Sequence, residues 1–116
     1  MRVLISGAGG QLGLDVVAAC VAAGDDVHAF DSIGLDIGSR SDVHGAITML
    51  RPDAVINCAA WTAVDACEAD PERALAVNGT AVRWLAEAAL PAGAHLVQVS
   101  TDYVFAGGLD RPYHEH

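Results

Sequence analysis

The sequence contains no lysine: all six of its basic residues are arginine. That absence excludes any lysine-dependent chemistry within these 116 residues. Cations as a class are scarce, six against fifteen acidic residues, for a net charge of −9 and a pI near 4.6. So acidic a chain has no basic footprint for a phosphodiester backbone or an anionic membrane, and neither is an expected partner. Long apolar runs are missing too. Gly, Asp or Arg breaks each one before it reaches bilayer-spanning length, which excludes a transmembrane helix. The opening MRVLISGAGG turns glycine-rich too soon for a signal peptide, so a cytoplasmic location is expected. Cysteine is sparse. Cys20, Cys58 and Cys67 form an odd set without CxxC spacing, which points to reduced, mostly buried thiols and no metal site.

What is present is apolar and periodic. Hydrophobic residues make up 53% and charged residues 18%, a composition that folds, at a length that fits a single domain. The run at 2–6 reads as a buried strand. A glycine cluster follows, and then Leu12, Val16, Val17, Cys20 and Val21 recur at helical spacing up to Gly24, a natural residue just past a helix end. Residues 26–30 form a second strand. Ser41 or Asp42 caps a helix through Val43, Ile47, Met49 and Leu50 that stops at Arg51-Pro52. Residues 54–58 are a third strand. Pro71 starts a long helix to about residue 90, with Leu75, Val82, Leu85 and Ala89 inward. Residues 95–100 are the fourth strand. Alternating strands and helices imply an α/β fold, a Rossmann-like doubly wound parallel sheet. No helix follows to cover the fourth strand, so the sheet is expected to be truncated there. The chain reads as the front half of something larger, and self-association through an open edge at 96–99 is expected.

Three blocks carry chemistry. Gly7-Ala8-Gly9-Gly10-Gln11-Leu12-Gly13 follows a strand and opens a helix. Gly7 permits the tight turn, Gly10 lets a pyrophosphate approach the backbone, and Gly13 lets helix and sheet pack closely, with helix N–H groups holding the anion. Asp31 ends the second strand, where a carboxylate binds an adenosine ribose. The nearest following arginine is Arg40, which favours NADH over NADPH. The second block, Asn57 to Asp65, follows the third strand at the carboxyl edge, where small residues let a cofactor lie against the chain; Trp61 reads equally as a hydrophobic staple over that loop. The third is Ser100-Thr101-Asp102-Tyr103-Val104-Phe105. A hydroxyl there can bond a substrate carbonyl, and the same residues also suit a capping turn.

Taken together, GAGGQLG at 7–13, LDI at 35–37, NCAAWTAVD at 57–65, Asn78 within AVNGTA, and STDYVF at 100–105 followed by PYHE resemble the dTDP-4-dehydrorhamnose reductase family, extended short-chain dehydrogenase/reductases of nucleotide-sugar metabolism. The resemblance runs over the whole chain. It implies hydride transfer from NADPH or NADH to C4 of a dTDP-4-dehydro-6-deoxysugar, giving dTDP-L-rhamnose. By the same resemblance Gly10, Gln11 and Leu12 would touch the pyrophosphate, Asp31 the ribose, and Asp36 with Ile37 the adenine. Ala60, Trp61, Thr62 and Val99 would line the remainder. Thr101 would be the hydroxyl of the family's Thr/Tyr/Lys catalytic set, and Asp102 would neighbour the sugar.

The departures from the family pattern matter. Its YxxxK pair comes some two dozen residues after STDYVF, and these 116 residues hold neither that pair nor any lysine. Tyr103 is not that tyrosine, because Gly107 stands where the lysine belongs. Cys58 replaces the usual Ala and Trp61 a Tyr or His. The expectation is a single NAD(P)-binding domain over 1–116, inactive by itself, without the sugar-binding region. A reductase or epimerase of another nucleotide sugar, or a silent regulatory subunit of the same fold, stays open.

Overall fold

The computed structural model describes residues 1–115. Four strands, β1 (Arg2–Ser6), β2 (Asp26–Phe30), β3 (Ala54–Asn57) and β4 (His95–Gln98), form one parallel sheet in the order β2-β1-β3-β4. The order reverses at β1. Right-handed crossovers therefore send the first connection to one face of the sheet and the later ones to the other. Helix α1 (Gln11–Ala22) covers the first face, and α2 (Arg40–Leu50) packs beside α5 (Ala81–Ala92) on the second.

The pleat divides the core accordingly. Val3 and Ile5 point to α1 with Val16, Val17 and Cys20, while Leu4 and Val55 point to Val43, Ile47, Leu85 and Ala88. The α1 face is the thinner one. Leu12 and Val21, expected on the inward spacing of α1, are exposed; one lies at the cavity wall described below and the other on the outer side. Past α1, Val97 and Val99 remain about 40% exposed. β4 hydrogen-bonds only to β3, so its outer edge is open among the described residues.

Several boundaries differ from the sequence reading, each for a local reason. α2 begins at Arg40, not after Ser41 or Asp42, because the Ser39 hydroxyl accepts the Asp42 N–H at 3.3 Å. Asp42 instead supplies the first-turn carboxylate that the helix dipole favours. The far end is where the sequence places it: α2 runs to Leu50 and is capped by Arg51, held at φ 48°, before Pro52. β3 stops at Asn57 rather than 58, where the loop turns back against Gly7, and β4 stops at Gln98 rather than 100, having lost its partner.

The expected long helix at 71–90 is divided, and a further helix precedes it. α3 (Val64–Ala69) ends at Asp70, whose backbone (φ −136°, ψ 74°) leaves the helical region ahead of Pro71. Asp70 Oδ1 then accepts the Arg73 N–H and caps α4 (Pro71–Leu75). A π turn over Ala76–Thr80 joins α4 to α5. Its wider winding shifts the helical phase, so Leu75 points outward and is 66% exposed, although the spacing from Leu85 and Ala89 would place it inside. α5 passes through Pro91 for one residue and ends at Gly93, φ 68°. All three cysteines are free and largely buried: Cys20 and Cys58 border a core cluster, and Cys67 sits in α3. No helix among the described residues is long and apolar enough to cross a membrane.

Candidate functional site

The site lies at the carboxyl ends of β1 and β3, where the strand order reverses and the diverging loops leave a crevice. Its floor is the turn from β1 into α1. Gly7 has φ 69°, and a Cβ there would lie 2.6 Å from the Ala59 Cα and the Cys58 carbonyl carbon. A Cβ on Gly13 would strike the Gly7 carbonyl and lie 2.8 Å from the Ala8 Cα. Both glycines are therefore required by the fold itself. Gly10 differs: a Cβ would meet only the Gly7 oxygen, at 3.4 Å. Gly10 is also the N-cap of α1 and offers no side chain to the first-turn N–H groups, and that turn carries no acid. The amides of Gln11 and Leu12 are thus left as bare donors at the positive end of the helix dipole.

Two adjoining cavities open from this turn. One, of about 870 Å³, runs past Gln11, Leu12, Ala60 and Thr62 to Val99, Thr101 and Tyr103, with no charged side chain in its wall. The other, of about 610 Å³, runs past Gly7 and Gly9 to Asp31, Asp36 and Ile37, with Arg73 and Val77 opposite. They share Gly10, Cys58, Ala59, Ala60 and Trp61, so the pair forms a single groove with a waist between Gly10 and Trp61. Every residue expected at the cofactor lines this groove except Gly13, which is buried behind it.

The electrostatics divide the groove by function. Asp31 Oδ1 accepts the N–H groups of Ile33 and Gly34 at 3.0 and 2.8 Å, which fixes the carboxylate at the end of β2. Asp36 Oδ1 accepts the Gly38 N–H at 2.9 Å. In both cases Oδ2 takes no protein hydrogen bond among the described residues. At the other end the Thr101 hydroxyl accepts the Tyr103 N–H at 3.3 Å and lies 3.2 Å from Asp102 Oδ1, capping a short 3-10 turn. Thr101 lines the groove, whereas Asp102 does not. Burial pushes the Cys58 thiol up, which keeps it neutral beside the cradle.

Three asparagine and glutamine residues escaped the sequence reading as site builders. Asn57 is 1% exposed. Its Oδ1 accepts the Ser6 hydroxyl at 2.6 Å and the Ala59 N–H at 3.1 Å, and its Nδ2 donates to Gln98 Oε1 at 2.7 Å. Gln98 in turn donates to the Val99 carbonyl at 2.6 Å. The polar chain ties together the carboxyl ends of β1, β3 and β4. Asn78, displayed by the π turn, bonds both the N–H and the carbonyl of Trp61. A polar residue closing an apolar strand was the available signal for Asn57. For Asn78 the signal was a lone amide inside a helical pattern.

Comparison with known proteins places these features in a family. The model of the RmlD substrate binding domain matches residues 1–116. The chain is 46% identical over 114 residues to a dTDP-4-dehydrorhamnose reductase of Streptomyces griseus, covering 98% of this chain and 38% of that protein. It is 45% identical over 116 residues to a probable dTDP-4,6-dihydroxy-2-methyloxan-3-one 4-ketoreductase of Streptomyces antibioticus, covering 99% and 39%. The chain thus spans about two fifths of the length of these curated relatives. Among solved structures, a dTDP-4-dehydrorhamnose reductase from Clostridium acetobutylicum superposes with a TM-score of 0.93 at 41% identity, covering 97% of this chain and 40% of that one. The Bacillus anthracis reductase, solved in complex with NADP, gives 0.89 at 41% identity, covering 96% and 39%.

Proposed function

The chain belongs to the family described as the RmlD substrate binding domain, and on that premise we propose that it is the dinucleotide-binding part of a reductase that uses NADPH or NADH to reduce a dTDP-4-dehydro-6-deoxysugar, dTDP-4-dehydrorhamnose before others. Substrate binding is what that family's description names; within these residues the features are those of a cofactor site. The observation that carries the reading is the bare N-terminus of α1 at the waist of a groove that extends both ways, toward Asp31 and toward Thr101.

The residues fit such a cofactor by their donor chemistry. Gln11 and Leu12 amides would receive the pyrophosphate. The free oxygen of Asp31 would accept from the adenosine ribose, and Asp36 and Ile37 would flank the adenine. Ala60, Trp61, Thr62 and Val99 would border the other half. The bound nicotinamide would supply the hydride. Thr101 would turn its hydroxyl from Asp102 to the sugar carbonyl, and the proton donor would come from outside these 116 residues. The identity to the Streptomyces antibioticus ketoreductase, 45%, is close to the 46% to the Streptomyces griseus reductase, which supports a second reading with another dTDP-sugar as substrate. As an isolated domain the chain would also self-associate along β4.

Saturation-transfer NMR with NADPH tests the cofactor role. The 116-residue chain should bind weakly, in the high micromolar to millimolar range, roughly 4–6 kcal/mol. Gly10→Asp, which the turn has room for, should abolish the signal through steric block and charge repulsion at the phosphates. Equal transfer in both proteins would sink the assignment.

A further inference from the structure

Arg73 is set apart from the other arginines that make side-chain contacts. Arg2, Arg40 and Arg83 each lie on a carboxylate, of Asp26 or Glu87. Arg73 has no ion pair among the described residues. Its guanidinium carbon sits 4.3 Å from the centre of the Trp61 ring, and it is the one basic side chain lining either cavity. Trp61 is itself fixed, because Asn78 bonds its backbone on both sides. An arginine held over an indole, with no carboxylate partner, keeps its planar fork of N–H donors available, a fork suited to phosphate oxygens.

We propose that Arg73, carried on Trp61, closes the groove over the pyrophosphate of the bound dinucleotide, opposite the bare N-terminus of α1. The proposal rests on the dinucleotide reading above and adds to it a ligand from the third crossover. Position decides which phosphate is meant. Trp61 borders both cavities, and so does Gly10 across from it. The guanidinium lines the second cavity alone, over Trp61 at the margin of the waist and on the side that also carries Asp31 and Asp36. A 2′-phosphate would lie at the far end beside Asp31 and Asp36, two carboxylates that repel it. In a chain of net charge −9, one unpaired cation at the margin of the waist also offsets the field that opposes entry of a polyanion.

The test is a set of NMR titrations of the 116-residue chain with ADP, NADH, NADPH and adenosine, for wild type, Arg73→Gln and Arg73→Lys. Arg73 is exposed and its backbone N–H, not its side chain, takes the Asp70 cap, so the variants should keep the wild-type amide spectrum. Arg73→Gln should weaken ADP, NADH and NADPH alike, by about tenfold, and leave adenosine unchanged. Arg73→Lys should recover part of the loss, because charge returns without the planar fork. Unchanged dinucleotide affinity in Arg73→Gln overturns the role of Arg73 and leaves the cofactor reading intact. A loss confined to NADPH overturns the pyrophosphate assignment. No binding of any phosphate-bearing ligand by wild type overturns both.

Discussion

Asn78 holds Trp61 at two points: its Oδ1 accepts the Trp61 N–H at 2.8 Å, and its Nδ2 donates to the Trp61 carbonyl at 2.9 Å. The two residues lie seventeen positions apart, and the π turn of Ala76–Thr80 is what turns the amide toward the loop. Asn78→Ala should release the loop at a cost of about 1 kcal/mol and speed exchange of the Trp61 amide. Asn78→Asp keeps the acceptor and loses the donor, so it should fall between. Amide exchange followed by NMR reads both, and wild-type exchange at Trp61 in Asn78→Ala would show that the clamp is idle.

The glycines of the turn should separate into two kinds. Gly7→Ala places a Cβ against the backbone of Ala59 in a left-handed conformation, and should cost more than about 3 kcal/mol. Gly10→Ala meets only one oxygen at ordinary distance, and should keep stability within about 1 kcal/mol while weakening dinucleotide binding. Urea unfolding of the two variants checks the first contrast and ligand titration the second.

Arg51 ends α2 with φ 48°, a conformation that costs a side-chain-bearing residue. Arg51→Gly should stabilise the chain by about 0.5–1 kcal/mol despite the added freedom of the unfolded state. A lower unfolding midpoint in Arg51→Gly would contradict this.

Stability should decline at both ends of the pH scale, for opposite reasons. The Arg2 hydrogen bond holds the Asp26 carboxyl below its ordinary value, and Arg83, then Arg40, does the same for Glu87. A depressed carboxylate stabilises above its unfolded pKa, and that contribution is lost as pH falls through the folded value, below about 4. The Asp25 hydrogen bond raises the N-terminal amine, whose contribution is present below about 8 and is lost as pH rises through the folded value. The N-terminal amine and Asp26 are exposed and Glu87 is half-buried at the surface, so the losses are shallow. Glu87→Gln should flatten the acid limb of a urea-denaturation series and leave the alkaline limb alone.

The 116-residue chain by itself should show no turnover of NADPH with a dTDP-4-dehydro-sugar, since it holds no lysine to support a tyrosine acid. It should also associate in a concentration-dependent way. The charge of −9 opposes contact, but salt screens that repulsion beyond about 8 Å and leaves edge pairing along β4 available. Assay and light scattering over a dilution series test the two statements; robust turnover, or a monomer at high concentration, would refute them.

The strand-glycine-helix alternation was legible because it depends on near neighbours. Residues 2–13 dictate β1, the turn and the start of α1 through chain sterics alone. The division of the 71–90 helix was not legible, because Pro71 and Leu85 sit in good helical positions and no proline interrupts the segment between them, where the π turn forms. The place of Arg73 at the groove was not legible either. Arg40 is the first arginine after Asp31 along the sequence, whereas the fold brings Arg73 to the groove from another crossover. Asp102, adjacent in sequence to Thr101, turns out of the groove because the 3-10 turn rotates it away.

The Ser6–Asn57–Gln98 chain has a consequence for the order of folding. Its links join residues 51 and 41 positions apart, so it closes only after strands from three distant parts of the sequence have met. Contacts of such span are costly in loop entropy and form late. The early species, β1 with α1 and β2, would already display the glycine turn but no opposite wall. Ligand capture is thereby tied to the last step of assembly. A dinucleotide should slow unfolding while leaving the folding rate unchanged, since the transition state lacks the groove it binds.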